Sequence, residues 1–198
     1  MTPTPTPALT SPTPTAVPPA APPTLALTAD PSGRLLPDAH GTAAPGAVVT
    51  VEDAAGGAVR ASTRADADGT WSIEPLPLPP GATTVVAVSD GRSDPVTVRL
   101  QAPRPLAPAT ASAGDGVPLV VLSATGQVDV LVDGVLRRSV SARAPGFTVS
   151  LELAAGEHRV GVRYASPEGR YGAEATTRVR VLQDAAASSA TASTSPAA

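Results

Sequence analysis

The feature that most constrains this chain is a series of short runs in which apolar residues alternate with small or polar ones. Such alternation turns one side of a run inward and the other toward solvent, as in a half-buried β-strand. Turn signals such as Gly56-Gly57, Asp68-Gly69 and Asp133-Gly134 separate the runs, because glycine adopts positive φ without steric cost. No stretch has the three- and four-residue apolar spacing of an amphipathic helix. The pattern predicts an all-β fold.

The runs form two series, which predict tandem β-sandwich modules over residues 24–101 and 117–183. The predicted strands lie near 25–27, 47–51, 59–63, 71–73, 84–88 and 96–100, and then near 118–122, 127–132, 136–140, 147–153, 158–164 and 176–182. The two series resemble each other. Trp71 and Ile73 align with Phe147 and Val149, and Val49 aligns with Val128.

Three segments lack this alternation and are predicted to lie outside the modules. Residues 1–23 are rich in Pro and Thr, which predicts a disordered stalk in extended polyproline II, with or without O-linked glycans. Residues 102–116 form a Pro/Ala linker, where proteases should cut between independently folded modules. Residues 184–198 are a disordered Ala/Ser/Thr tail.

Composition excludes several classes of protein. The net charge of −3 argues against nucleic-acid binding, which needs a cationic face. The absence of Cys excludes disulfides, thiolate catalysis and zinc fingers. No apolar run is long enough to span a membrane. Because no basic segment followed by an apolar one comes after Met1, as in a signal peptide, we expect a fragment of a longer protein or a misassigned start.

Three motifs mark the first module, namely Gly41-Thr-Ala-Ala-Pro-Gly-Ala-Val-Val-Thr-Val51, Ala65-Asp-Ala-Asp-Gly-Thr-Trp-Ser72 and Leu78-Pro-Pro-Gly81. Through these motifs, residues 24–101 resemble a bacterial immunoglobulin-like domain. The second module matches only as a generic immunoglobulin-like sandwich. The resemblance implies tandem modules of a surface or secreted protein, located extracellularly or at the cell surface. We expect the cell to be of actinobacterial type. Trp71, the only Trp, is predicted to anchor the core of the first module.

One segment has the alternating carboxylates of a calcium loop. Asp66-Ala-Asp68-Gly69 begins like an EF-hand, but the twelfth position is Pro77 instead of Glu, and strands flank the segment. We therefore predict a hairpin turn and no metal site, with weak calcium binding as the alternative. Asp30, Asp38 and Asp53 would join such a site only if the fold gathered them.

The candidate catalytic residues are few. The only histidines are His40, predicted in a loop, and His158, predicted partly buried at the start of a strand. The sequence contains no Gly-x-Ser-x-Gly motif that would supply the serine of a hydrolytic triad. Four glutamates suggest a glycosidase pair, but Glu152 is predicted to face solvent. These acids are Glu152, Glu157, Glu168 and Glu174. We predict no enzyme and no cofactor.

Two surface features suggest partners. Tyr164 and Tyr171 are the only tyrosines, and we predict that they pack in the core or at sheet edges, with a role as glycan platforms as the alternative. The second module has eight Arg against six acidic residues, and Arg178 with Arg180 should share one strand face, as should Arg159 with Arg163. We predict solvated strand faces and protection of sheet edges, with contact to an anionic cell-wall polymer as the alternative.

These observations predict a non-catalytic structural or interaction protein whose modules act as a spacer or an adhesion and display unit. The alternatives are the extracytoplasmic sensor of a single-pass regulator and a weak glycan- or cell-wall-binding module. The candidate partners are a cell-wall polymer, a glycan or another protein.

Overall fold

The computed structural model describes residues 21–183, and the regular structure of this part is entirely β. Residues 1–20 of the predicted stalk and the predicted tail 184–198 lie outside the described residues. The strands are β1 (Ala26–Thr28), β2 (Asp38–Thr42), β3 (Val48–Asp53), β4 (Val59–Arg64), β5 (Thr70–Ile73), β6 (Gly81–Val88), β7 (Val96–Leu100), β8 (Arg104–Leu106), β9 (Thr110–Ser112), β10 (Val117–Leu122), β11 (Gly126–Val132), β12 (Val135–Ala142), β13 (Gly146–Leu151), β14 (Gly156–Tyr164) and β15 (Ala175–Leu182).

The strands form two sandwiches with the same topology. In the first module, the sheet β1-β2-β5 packs on β4-β3-β6-β7. In the second module, β8-β10-β13 packs on β12-β11-β14-β15-β9, where β9 adds one parallel strand. This arrangement of two packed sheets with crossing connections is immunoglobulin-like. The predicted all-β fold class with two immunoglobulin-like modules is confirmed.

The internal repeat follows the strand order. Trp71 and Ile73 lie on β5, and their counterparts Phe147 and Val149 lie on β13, which occupies the same place in the second module. Val49 on β3 and Val128 on β11 correspond in the same way. The two modules therefore share both an alternating pattern and a topology.

Each sandwich has its own apolar core. In the first module the indole of Trp71 is 3% exposed and packs among aliphatic side chains, which confirms its predicted role as a core anchor. The core also contains Leu76 and the alternating Val49 and Val51 of β3, all fully buried. In the second module, valines of β11 and β14 fill the equivalent space. Aliphatic side chains thus provide most of the packing.

Gly41 makes room for the single Trp. Gly41 on β2 pairs directly with Trp71 on β5. A Cβ at Gly41 would lie 2.9 Å from Cζ2 of Trp71 and well inside contact distance of the Thr24 carbonyl. A side chain is therefore excluded at this position. Packing against Trp71 explains why the motif 41–51 begins with a glycine.

Three strands were missed by the sequence prediction. β2 contains only Ala39 as a fully buried apolar residue, so the alternation is weak there, and His40 lies exposed on this strand instead of in a loop. The predicted linker 102–116 contains β8, which pairs with β10, and β9, which pairs with β15. Pro105 is tolerated in β8 because β8 is an edge strand, where one side of the backbone needs no hydrogen bonds.

The outer edge strands β4 and β12 have features that limit edge-to-edge pairing. Each pairing with the inner neighbour contains a register shift, between Val51 and Glu52 in one module and between Val130 and Leu131 in the other. Arg137 and Arg138 are exposed on β12 near the second shift. Bulges and charges on an edge oppose aggregation. Within residues 21–183 there is no helix of the length and apolarity needed to cross a membrane.

Candidate functional site

Within residues 21–183, loops of the two modules meet at a joint. The joint consists of the loop 29–37 between β1 and β2, and of the loops 123–125 and 165–174 from the second module. Only residues 101–103 separate β7 from β8, and the Gln101 N–H donates to the Gly33 carbonyl at 2.7 Å. Pro103 in this connection is buried. Because the connection is short and is held by a hydrogen bond to the loop 29–37, we expect it to limit the relative movement of the modules.

Backbone and side-chain hydrogen bonds cross the joint. The Leu36 N–H donates to the Tyr171 carbonyl at 3.0 Å. Arg170 Nη2 donates to the Leu36 carbonyl at 3.2 Å and to Asp38 Oδ2 at 2.9 Å. Arg34 donates to the Thr125 carbonyl at 3.2 Å and to the Thr125 hydroxyl at 3.0 Å. These bonds join the segment around β2 of the first module to both of the loops from the second module.

Two arginines stack on the two tyrosines at the joint. The guanidinium of Arg34 lies 4.9 Å from the ring centroid of Tyr164, and that of Arg163 lies 4.1 Å from the ring centroid of Tyr171. Both distances are within the cation–π range. Tyr164 is buried, and its hydroxyl donates to the Ser123 carbonyl at 2.9 Å. Tyr164 therefore has no free ring face for a sugar, and Arg163 covers one face of Tyr171.

The loop 165–174 also contributes to the core of the first module. Ala173 is 2% exposed and belongs to the apolar cluster that contains Trp71 and Leu36. The neighbouring Gly172 is buried against the Arg34 backbone, where a Cβ would lie far inside contact distance of the carbonyl oxygen. The backbones approach so closely only because residue 172 has no side chain. The two modules therefore share packing as well as hydrogen bonds.

The segment Asp66-Ala-Asp68-Gly69 is a turn, as predicted, and the carboxylate of Asp68 already has partners in it. Asp68 Oδ1 accepts from the Thr70 N–H at 3.0 Å and from its hydroxyl at 2.8 Å, and these bonds lower the pKa of Asp68. The Gly69 N–H donates to the Asp66 carbonyl at 3.0 Å. Residues 21–183 contain no group of three or more His, Asp or Glu placed to hold a metal ion.

The three other aspartates are engaged separately. Asp30 accepts from Ser32 and from the Arg34 N–H, Asp38 pairs with Arg170, and Asp53 pairs with Arg60. The fold therefore does not bring Asp30, Asp38 and Asp53 together with the segment at Asp66.

His158 lies near the start of β14 and is partly buried, as predicted. Its imidazole pairs with the carboxylate of Asp133. Nδ1 lies 2.8 Å from Asp133 Oδ2, and Nε2 lies 2.9 Å from the Ala154 carbonyl oxygen. A hydrolytic triad needs Nε2 to face a serine hydroxyl, whereas here it faces a backbone acceptor. Glu152 is exposed as predicted, and Glu174 lies 3.4 Å from Arg159. The His–Asp pair thus links strands and is not arranged for catalysis.

Two acceptors on one imidazole favour its charged form. The Asp133 carboxylate, followed by the Ala154 carbonyl, raises the pKa of His158, while nearby Arg137 opposes this shift. The Arg159 N–H, 2.9 Å from Asp133 Oδ1, and then His158 lower the pKa of Asp133. Both shifts mean that the charged pair is favoured in the folded chain.

We expect the stability of the second module to fall as the pH rises above neutrality. A His pKa raised by folding stabilises the folded state below the unfolded pKa of about 6.5, and this contribution disappears as the pH rises through the folded pKa. The measurement is the melting temperature between pH 5 and pH 9. His158→Gln should flatten this alkaline decline, whereas His40→Gln, at an exposed site on β2, should leave it unchanged. An identical decline in all three proteins would contradict the assignment.

Comparison with known proteins gives likenesses of structure only. No protein-family model matches the chain, and no curated protein matches it. The fibronectin(III)-like modules of Clostridium thermocellum CbhA match with a TM-score of 0.35 and 20% identity, over 74% of this chain and 86% of that chain. The BSP domain of a biofilm-associated protein matches with a TM-score of 0.30 and 17% identity, over 85% of this chain and 30% of that chain. The central fibronectin-III array of RIM-binding protein matches with a TM-score of 0.31 and 17% identity, over 84% of this chain and 70% of that chain.

The residues of the joint were only partly found from the sequence. The core packing predicted for Tyr164 is confirmed, since this residue is buried in the core cluster of the second module, and Tyr171 lies at the joint with Arg163 over its ring. Arg34, Arg170 and Gly172 were not selected. No local pattern distinguishes them, since their partners lie far away along the chain, 132 residues in the case of Arg170 and Asp38.

Proposed function

We propose that this chain is a non-catalytic structural unit in which two immunoglobulin-like modules form one rigid spacer. The observation that carries the proposal is the burial of Ala173, a residue of the second module, in the core cluster of the first. A flexible tandem would expose this residue. Because the core of one module includes a residue of the other, separation of the modules must expose apolar surface.

The polar contacts of the joint support the same proposal. Arg170 and Arg34 each donate two hydrogen bonds across it, and the backbone bond from Leu36 to Tyr171 adds a third anchor. The tethered connection at 101–103 keeps the partners at high effective concentration. A spacer of this kind transmits the position and orientation of whatever is attached at its two ends.

The contacts between the modules determine which loops at the ends of the sandwiches are free to bind a partner. The loops 123–125 and 165–174 of the second module, at one end of its sandwich, are occupied by the first module. The corresponding loops of the first module, 43–47 and 89–95, do not take part in the joint contacts. We propose that display or adhesion uses that end of the first module, at the cell surface or outside the cell.

The test is the rotational diffusion of the two modules in the full chain, from ¹⁵N relaxation at backbone amides of β3 and β11. A rigid unit should give one correlation time and one diffusion tensor for both modules, typical of their combined mass. A small-angle scattering profile should then fit one arrangement. Two separate correlation times, each close to that of an isolated module, would refute the rigid spacer.

A further inference from the structure

Outside the joint, an arginine cluster lies on the outer face of the second module. In the register of β14 and β15, Arg159 lies directly opposite Arg178. Arg180 lies two residues further along β15 on the same face and opposite Glu157. Directly opposed residues have Cβ atoms about 5 Å apart, and residues i and i+2 of a strand are about 7 Å apart. Three guanidinium groups therefore share one small area.

Arg180 lies opposite Glu157, which favours folding, whereas folding does not explain Arg178 opposite Arg159. Like charges directly opposite each other in a sheet are destabilising. Arg159 reaches Glu174 at 3.4 Å and is 62% exposed. Among residues 21–183, the side chains of Arg178 and Arg180 have neither a hydrogen-bond partner nor an ion-pair partner. The neighbouring Thr176 and Thr177 show that an uncharged β-branched residue suits this strand.

The arginines surround a shallow depression of about 440 Å³. Its wall includes Ala109, Asp133, Glu157 and His158 in addition to the three arginines. The Asp133 carboxylate is already occupied, because it accepts from the Arg159 N–H and contacts His158. Glu157 and Glu174 remain as flanking carboxylates. The unpaired guanidinium groups of Arg178 and Arg180 are therefore available to an external anion.

We propose that this depression binds an acidic polysaccharide through its sulfate or carboxylate groups. Guanidinium forks match planar or tetrahedral oxyanions with paired hydrogen bonds. Residues 21–183 offer this face no exposed aromatic ring as a stacking platform, since Tyr164 and Tyr171 belong to the joint. Recognition therefore depends on charge and shape, and it weakens with salt. The net charge of −3 repels polyanions from the chain as a whole, so binding requires this local cluster.

The test uses the full chain with dextran sulfate, polygalacturonate and uncharged dextran at about 20 mM and about 150 mM salt. We expect at least one acidic polymer to bind at low salt and to weaken at high salt, while dextran does not bind. The polymer that binds identifies sulfate or carboxylate as the recognised group. The double variant Arg178→Thr/Arg180→Thr should weaken binding by at least about tenfold.

A charge-matched variant separates the local cluster from net charge. Arg99→Thr/Arg138→Thr removes two exposed arginines elsewhere, and its affinity should stay within about twofold of the original. Should the threonine variant at 178 and 180 fold poorly, Arg178→Gln/Arg180→Gln provides the same loss of charge. Equal loss in the charge-matched variant, or no binding of either acidic polymer, would overturn the proposal. Neither result would affect the rigid joint, which depends on other residues.

Discussion

Replacing Gly172 with alanine should uncouple the two modules. The added Cβ would lie far inside contact distance of the Arg34 carbonyl oxygen and 3.1 Å from its carbonyl carbon. Both are backbone atoms, so no side-chain rotation can relieve the overlap, and the loop 165–174 must withdraw. Withdrawal breaks the bond from the Leu36 N–H to the Tyr171 carbonyl and removes Ala173 from the first core.

The expected size of this effect is that of an overpacked core substitution, about 1–3 kcal/mol. Since about 1 kcal/mol shifts the melting temperature of a domain this size by about 4–8 °C, the first module should melt several degrees earlier. The correlation times of the two modules should also diverge. Gly56→Ala is the matched control, because a Cβ at Gly56 meets no atom within 4 Å. Unchanged tumbling and melting in Gly172→Ala would show that the joint yields without cost.

The fold was largely predictable because it depends on a local property. Alternation in segments such as 48–53 and 175–182 follows directly from one buried and one exposed face. Where that contrast is weak, prediction failed. β2 has small residues at its inner positions, with a glycine beneath Trp71, and β8 carries Pro105 on a sheet edge. Both features have tertiary causes, and neither appears in a single-sequence pattern.

The joint was not predictable for a related reason. Its contacts bring together residues such as Arg34 and Thr125, which are 91 positions apart, and an arginine in a loop gives no indication of its partner. Tyr164 illustrates the difficulty, because a tyrosine near the end of a strand is compatible with a ligand platform, with core packing and with stacking under an arginine. Only the docked geometry decides among these roles. The arginine cluster was predictable in part. Alternation along one strand predicts that Arg178 and Arg180 share a face, but the sequence does not give the pairing of strands that places Arg159 opposite Arg178.

The largest single effect on stability should come from Trp71→Ala. The indole is 3% exposed and occupies the space above Gly41, so its removal leaves a cavity that the two strands cannot close. Changes of this kind cost about 3–5 kcal/mol. A small domain has a total stability of about that order, so the first module should lose more than about 10 °C in melting temperature or fail to fold.

Trp71→Phe provides the informative comparison, because the indole Nε1 is buried without a hydrogen-bond partner among the described residues. An unsatisfied buried donor costs about 1–3 kcal/mol, and phenylalanine removes that donor while keeping most of the ring. We therefore expect Trp71→Phe to retain most of the stability that Trp71→Ala loses.

The native fluorescence of Trp71, the only Trp in the chain, should be blue-shifted and protected from quenchers. Solvent-like emission together with an unchanged melting temperature in Trp71→Ala would instead place the ring outside the core. If Trp71→Phe were as unstable as Trp71→Ala, the indole nitrogen would have to bind a partner such as an ordered water.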